Sequence, residues 1–327
     1  MKRSKKTGRT PFPMALSTRI SASCISVALI PALLQAAPAF FSSCTTLQTP
    51  RPREILLTGE APAEVIDLFF FDTLGVQRLD AYQQLTSPPY YGLSGSGAKR
   101  VVALSARSGS ASLWLGVNTY GNLCKHTFSL ERDSPENPLL VGEALVEDGA
   151  SRTLTLPLRT MLSAIRLKSL SCDFTGRLYA GQPFDNARIY LTYAGAECLP
   201  VGPESRTVSL INLGEADGEA LKKLPHPEMI LQEGCGEVGV ERIYPERTFY
   251  CYPSDGVRLV LEGHIGDYLC YYPIPLPPLE ASACLSLEIT LQRMGSPSPD
   301  IPVESGTVLV ETRTLPWEER VQYTIPY

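Results

Sequence analysis

Cys284-Leu285-Ser286-Leu287-Glu288-Ile289-Thr290-Leu291 alternates apolar and polar residues without a break. Successive side chains on a strand point to opposite faces, so Leu285, Leu287, Ile289 and Leu291 share one face while Ser286, Glu288 and Thr290 share the other. The stretch predicts a strand with one buried side and one wet side. The same period of two recurs at Leu154, Leu156 and Leu158; at Ile165 and Leu167; at Ile189, Leu191 and Tyr193; at Val257, Leu259 and Leu261; and at Val321, Tyr323 and Ile325. Val65 to Phe71 and Val101 to Leu104 are denser apolar runs and predict more deeply buried strands. Helical patterning is confined to two short stretches, Asp80 to Leu85 and Gly218 to Leu224, neither long enough to form a crossover layer.

Turn signals separate these runs at short intervals: Asp72-Thr73-Leu74-Gly75, Ser94-Gly95-Ser96-Gly97, Asn118-Thr119-Tyr120-Gly121, Pro253-Ser254-Asp255-Gly256 and Gly295-Ser296-Pro297. Many short strands between Gly- and Pro-rich turns predict an all-β sandwich rather than a parallel sheet alternating with helices. A Gly- and acid-rich stretch from Val146 to Ser151 precedes a fresh alternating run and marks a domain boundary near residue 152.

The amino terminus reads as an export signal. Lys2, Arg3, Lys5, Lys6, Arg9 and Arg19 precede a mostly apolar stretch from Ile20 to Phe41, which runs into Ser42-Ser43-Cys44. That stretch is long enough to span a membrane, but Pro31, Gln35 and Pro38 interrupt it and it abuts a small-residue cleavage pattern. Small residues just before a cysteine resemble a bacterial lipoprotein processing site, which makes residues 1–43 a signal peptide and Cys44 the lipid attachment residue. Plain export, with cleavage after Ala37 or Ala39, is the alternative. A single acyl chain holds a protein only marginally, at about 0.8 kcal/mol per buried methylene, so stable anchoring requires several.

Removal of residues 1–43 sharpens the charge. The full chain has 29 Lys and Arg against 34 Asp and Glu; six of the basic residues and none of the acidic ones lie in that segment, leaving 23 against 34 over 284 residues. So acidic a chain is unsuited to nucleic acid, where Lys and Arg neutralise phosphate. Its length suits two domains of ordinary size. Seven cysteines remain after Cys24 and Cys44 are set aside: Cys124, Cys172, Cys198, Cys235, Cys251, Cys270 and Cys284. Export permits disulfides, but the odd number leaves at least one thiol unpaired within the chain. Small buried hydrophobes with one or two bridges, or a full disulfide framework, both fit that count.

Catalytic constellations are missing from the sequence. His126, His226 and His264 have no partner at metal-ligand spacing. Gly92-Leu93-Ser94-Gly95-Ser96 fails the nucleophile-elbow pattern at its last position. Gly234-Cys235-Gly236-Glu237-Val238-Gly239 matches the dinucleotide fingerprint by letters, but Val240 to Pro245 reads as a strand ending at proline, so a glycine-rich hairpin is expected. The adjacent pairs Glu147-Asp148 and Glu318-Glu319 would point to opposite faces of a strand. No cofactor, metal or enzymatic activity is implied. From Tyr244 to Tyr272 aromatic residues cluster beside Pro245, Pro253 and Pro273; they suit either stacking on sugars or packing a sandwich edge.

Taken together, several segments resemble the Bacteroidetes fimbrillin family. In the first half these are Val65-Ile66-Asp67-Leu68-Phe69-Phe70-Phe71-Asp72 with Gly75 and Leu79-Asp80, and Leu156-Pro157-Leu158-Arg159 leading into Ala164-Ile165-Arg166-Leu167. Further on comes Ala187-Arg188-Ile189-Tyr190-Leu191-Thr192. Thr248-Phe249-Tyr250-Cys251-Tyr252-Pro253, Tyr271-Tyr272-Pro273-Ile274, Gly295, Pro299-Asp300-Ile301-Pro302-Val303 and Pro316-Trp317 resemble the carboxy-terminal domain of FimB-type anchor and accessory subunits.

The resemblance implies two transthyretin-like Greek-key β-sandwich domains in tandem, over residues 44–152 and 153–327, after a lipoprotein signal peptide. It implies a fimbrial (pilus) subunit of the cell outer membrane, acting in fimbria assembly and cell adhesion. Its partners would be other fimbrial subunits, joined by strand addition, and a host or bacterial surface receptor. Stalk subunits of the family are trimmed by an arginine-specific protease, which opens a groove for a strand of the next subunit; Arg51, Arg53 and Arg78 are candidate cut sites. Anchor subunits keep the first strand and the lipid. The alternating tail from Arg320 to Tyr327 is either a donor strand or the last strand of its own domain. A glycan-binding surface lipoprotein is the alternative function.

Overall fold

A computed structural model describes residues 53–58, 65–106, 110–148, 153–203, 205–214, 226–241, 243, 245, 247–301, 306–314 and 320–326. Its architecture is all-β, as the period-two patterning requires; helix among the described residues is limited to one α-turn at Tyr120–Leu123 and three short 3-10 turns. The Gly218 to Leu224 stretch lies outside the described residues. Asp80 to Leu85, expected to be helical, is instead part of a strand. Local propensity loses there to the neighbouring strand, which offers a full ladder of backbone partners and sites for Tyr82 and Gln84.

The first group of strands comprises β1 (Arg53–Thr58), β2 (Val65–Asp72), β3 (Leu79–Leu85), β4 (Tyr91–Ser94), β5 (Lys99–Ala106), β6 (Phe128–Ser129), β7 (Leu140–Val146), β8 (Thr153–Pro157) and β9 (Arg159–Thr160). They form a sheet ordered β4-β1-β8 that faces a sheet ordered β3-β2-β5-β7-β9, while β6 pairs elsewhere. Ile55 and Leu57 from one sheet meet Ile66, Leu68 and Phe70 from the other in a common core.

The opposite face of β2 is also covered. Phe69 and Phe71 pack beneath Trp114, Tyr120 and Leu123 from the segment between β5 and β6, which explains why β2 reads as a continuous apolar run. Asp67 interrupts that run and is fully buried. Its carboxylate accepts hydrogen bonds from Trp114 Nε1 at 2.6 Å, Tyr82 Oη at 2.6 Å and Gln84 Nε2 at 3.0 Å. Burial, together with this bond and the charge of Asp67, holds the Tyr82 phenol well above its usual pKa.

The second group comprises β10 (Ser163–Cys172), β11 (Phe184–Thr192), β12 (Ala194–Leu199), β13 (Arg206–Ile211), β14 (Leu231–Gln232), β15 (Arg247–Cys251), β16 (Arg258–Ile265), β17 (Tyr268–Pro275), β18 (Ala283–Leu291), β19 (Gly306–Thr314) and β20 (Arg320–Pro326). Sheets ordered β15-β10-β18-β19-β20 and β14-β11-β16-β17 enclose one large core, and β13-β12-β6 forms a third sheet. Leu285, Leu287, Ile289 and Leu291 all face this core, as their alternation predicts.

Two bulges set the register. The core residues of β10 change parity from Ile165 and Leu167 to Leu170 and Cys172, because the ladder shifts between Leu167 and Ser169. In β11 the shift falls between Asp185 and Arg188, at Asn186, whose φ of 52° lies in the left-handed region that Asn tolerates. Tyr193 does not continue the β11 alternation; its φ of 55° turns the chain from β11 into β12.

The two groups share one strand order. In the first, β4-β1-β8 faces β3-β2-β5-β7; in the second, β15-β10-β18 faces β14-β11-β16-β17. In each, the first strand pairs antiparallel on one edge and parallel on the other. The expected boundary near residue 152 falls between β7 and β8, whereas pairing carries β8 and β9 with the first group, so the change of partners comes between Thr160 and Ser163. A second tie joins the groups: β6 pairs with β12, Leu130 and Leu139 enter the second core, and Tyr252 Oη donates to Asp133 Oδ2 at 3.1 Å.

Replacement of Asp67 by Ala strands the buried Trp114 and half-buried Tyr82 donors, while exposed Gln84 can turn to water, and is expected to lower unfolding stability by about 2–3 kcal/mol, with Asp67→Asn losing less. Denaturant titration of the three proteins checks this. A loss below about 0.5 kcal/mol for Asp67→Ala would contradict the assignment of Asp67 as the organising acceptor.

Candidate functional site

The resemblance makes strand edges the expected sites, and the first strand is the place to begin. Ile55 and Leu57 of β1 point into the core while Glu54 and Thr58 face outward. One edge of β1 pairs antiparallel with β4, from Arg53 opposite Ser94 to Leu56 opposite Tyr91. The other pairs parallel with β8, from Glu54 opposite Thr153 to Thr58 opposite Pro157. Loss of this strand would leave two unpaired edges and an apolar trough between them.

Cys44 and Arg51 lie outside the described residues. Arg53 is built into the sheet: it is 8% exposed, Nη1 donates to the Gly97 carbonyl at 3.1 Å, and Nη2 pairs with Asp148 at 3.2 Å. A protease must draw the arginine and its flanking backbone out of the fold to cut there. Arg78 is exposed in the β2–β3 turn, yet a cut after it would separate both β1 and β2 from the rest of the chain. Removal of β2 would empty both cores of Phe69, Phe70 and Phe71. Of these two arginines, neither is placed for trimming that spares the fold.

The tail is the last strand of its own sheet: β20 pairs antiparallel with β19 from Thr307 opposite Pro326 to Arg313 opposite Arg320. The second group thus carries β19 and β20 beside β18. In the first group the counterpart of β18 is β8, and among the described residues β8 pairs only with β1. Among the described residues its outer edge is the open one at that position.

The aromatic cluster packs inward. Phe249, Tyr252 and Tyr272 are buried to within 1% exposure, and Tyr272 stands edge-on to Phe184 with ring centroids 5.4 Å apart. Its hydroxyl donates to the Arg293 carbonyl at 2.9 Å. Tyr244 lies outside the described residues, and Tyr268 is the widely exposed ring. The arrangement is a sandwich interior, without the row of open rings that sugar stacking needs. Gly234 to Gly239 forms an irregular loop bridged to Phe184 through Val238, and no helix follows it among the described residues. A phosphate would find no helix terminus there.

Sequence reasoning missed a cavity of about 350 Å³ between β12, β13 and the turn at Pro227–Met229. Glu131, Glu197, Ser209, His226 and Met229 are among its lining residues. His226 Nδ1 is 3.0 Å from Glu228, and Ser209 donates to Glu197 at 3.0 Å, so neither group is arranged as a nucleophile and base. No signal marked it, because its walls come from four separate segments spread between Ser129 and Ile230. His126 is wedged between Trp114 and Phe128, and burial lowers its pKa.

All seven cysteines of the described residues stand as free thiols. Burial pushes Cys172, Cys198 and Cys251 up to about 12 and Cys235 up to about 11, so these sulfurs stay protonated and behave as small apolar groups.

No family model and no curated protein matches the sequence. Solved structures do match in fold. A candidate cell adhesion protein from Bacteroides eggerthii aligns with a TM-score of 0.60 at 17% identity over 85% of this chain and 97% of its own. One from Parabacteroides distasonis aligns at 0.58 and 11% identity, covering 81% and 96%. A fimbrilin from Porphyromonas gingivalis aligns at 0.55 and 11% identity, covering 86% and 98%. The chain therefore has the fold of the Bacteroidetes fimbrilin and cell adhesion structures, in keeping with the fimbrillin family that its sequence resembles.

Proposed function

We propose that this chain is a non-catalytic subunit of a surface fimbria, exported, acylated on Cys44 and held at the outer membrane in an anchor or accessory position. The observation that carries the reading is β1 itself. Its central place between β4 and β8, with Arg53 buried in the sheet, suits a subunit that keeps its first strand and stays tethered through the residues before it. The fold shared with a fimbrilin supports a fimbrial role.

Joining to a neighbouring subunit proceeds by strand addition. A strand laid along the outer edge of β8 would gain main-chain hydrogen bonds and extend the sheet as β19 extends β18. The acidic surface and the buried, protonated thiols suit an exported scaffold.

Two outcomes are expected. Radiolabelled palmitate enters the wild-type chain and not Cys44→Ala, as read on a gel of membrane fractions; equal label in both would remove the anchor. In limited digestion of the folded mature chain with an arginine-specific protease, cleavage after Arg177, exposed in the turn that follows β10, precedes any cleavage after Arg53. Early release of an amino-terminal fragment ending at Arg53, with the remainder folded, would indicate a trimmed stalk subunit.

A further inference from the structure

Five of the six exposed aliphatic side chains among the described residues of the first group, all but Leu113, gather at one end. Leu74 and Val76, 83% and 67% exposed, occupy the β2–β3 turn, where polar residues are the rule. Leu115, 89% exposed, sits on the adjoining loop, which is stitched to that turn by Leu79 N–H to Asn118 and Tyr120 N–H to Gln77. Leu145 and Leu93, each more than half exposed, lie one residue in from the same end of β7 and β4.

The chain enters the fold at this end. Arg53 opens β1 and bonds Gly97, two residues before Lys99, and the Lys99 ammonium bridges Asp72 at 2.7 Å and Asp80 at 2.9 Å on either side of the Leu74 turn. The opposite end, where Leu140 faces Thr160, leads into the second group. Arg53 lies nine positions after Cys44, a reach of at most about 30 Å. A lipid on Cys44 would therefore keep this apolar end close to the bilayer.

From this placement we propose that Leu74, Val76 and Leu115 form a membrane-contacting tip that inserts shallowly into a lipid surface beside the anchor and orients the subunit upright. The inference rests on acylation at Cys44. Aliphatic side chains on loop ends lose water contact at the acyl boundary without any charge requirement, and at this end Arg53 and Lys99 are already paired with carboxylates. A lipid surface suits the patch better than a protein partner because the side chains stand on loop tips around the chain entry point and not along a groove.

The test places tryptophan at the tip, as Leu74→Trp and separately Leu115→Trp, and at Leu178→Trp as a control on the exposed turn after β10, far from the junction. Full-length processed chains are reconstituted in vesicles of phosphatidylcholine and phosphatidylethanolamine containing brominated phosphatidylcholine, and the signal of the unsubstituted chain is subtracted. Quenching at positions 74 and 115 is expected to exceed that at 178 by about threefold or more. Equal or absent quenching at all three positions overturns the proposal. So does burial of the tip by a second copy, seen as dimerisation in sedimentation together with unquenched tip tryptophans. Acylation is read separately from the mass of the Cys44 peptide. If it is missing, the acylation reading fails on its own, and the same comparison of positions is made with the mature chain tethered through an amino-terminal histidine segment to nickel-chelating lipid.

Discussion

Double-edged pairing of an opening strand is the constraint on which each half of the molecule is built. β1 and β10 are both bonded antiparallel on one side and parallel on the other, to strands that come much later in the chain. Such a strand closes its sheet only after the rest of its group has folded back to meet it, so its formation is non-local and cooperative. It also delivers the apolar residues that seal the core, Ile55 and Leu57 in one case and Ile165 and Leu167 in the other. Everything proposed about retention, tethering and strand addition follows from where that first strand lies.

The repetition of one strand order makes the differences between the halves informative. The second group continues past β18 into β19 and β20, while the first stops at β8. An incoming strand at β8 would complete in the first group what the chain supplies for itself in the second. The hydrogen bonds and side-chain contacts that β6 and Tyr252 make between the groups tie them together beyond the chain link from β9 to β10.

Much of the fold was legible because strands with one buried face write their geometry as alternation. Leu285 to Leu291 and Val257 to Leu261 are the clearest cases. Asp80 to Leu85 misled because its residues carry little apolar alternation: it is an edge strand, half exposed on both sides, held by the ladder to β2 and by polar contacts to Asp67. The bulges at Lys168 and Asn186 were written as breaks in parity, from Leu167 to Leu170 and from Phe184 to Ala187, but a break in parity also fits a strand end. As for the candidate site, the lipoprotein-like start and the candidate arginines were visible as motifs. Whether an arginine is buried, which strand β1 pairs with, and which loops share an end depend on pairings between residues distant in sequence, and one chain carries no local mark of those.

The most direct measurement is amide hydrogen exchange by mass spectrometry on the mature chain, comparing the peptide that covers Ile55 to Thr58 with the one that covers Ile165 to Lys168. If β1 is a permanent, doubly bonded strand, both peptides exchange slowly and to a similar extent, with protection of at least about a thousandfold over free amides. Rapid exchange in the first peptide, alongside slow exchange in the second, would show a strand that detaches readily and would contradict a retained first strand at the foot of an anchored subunit.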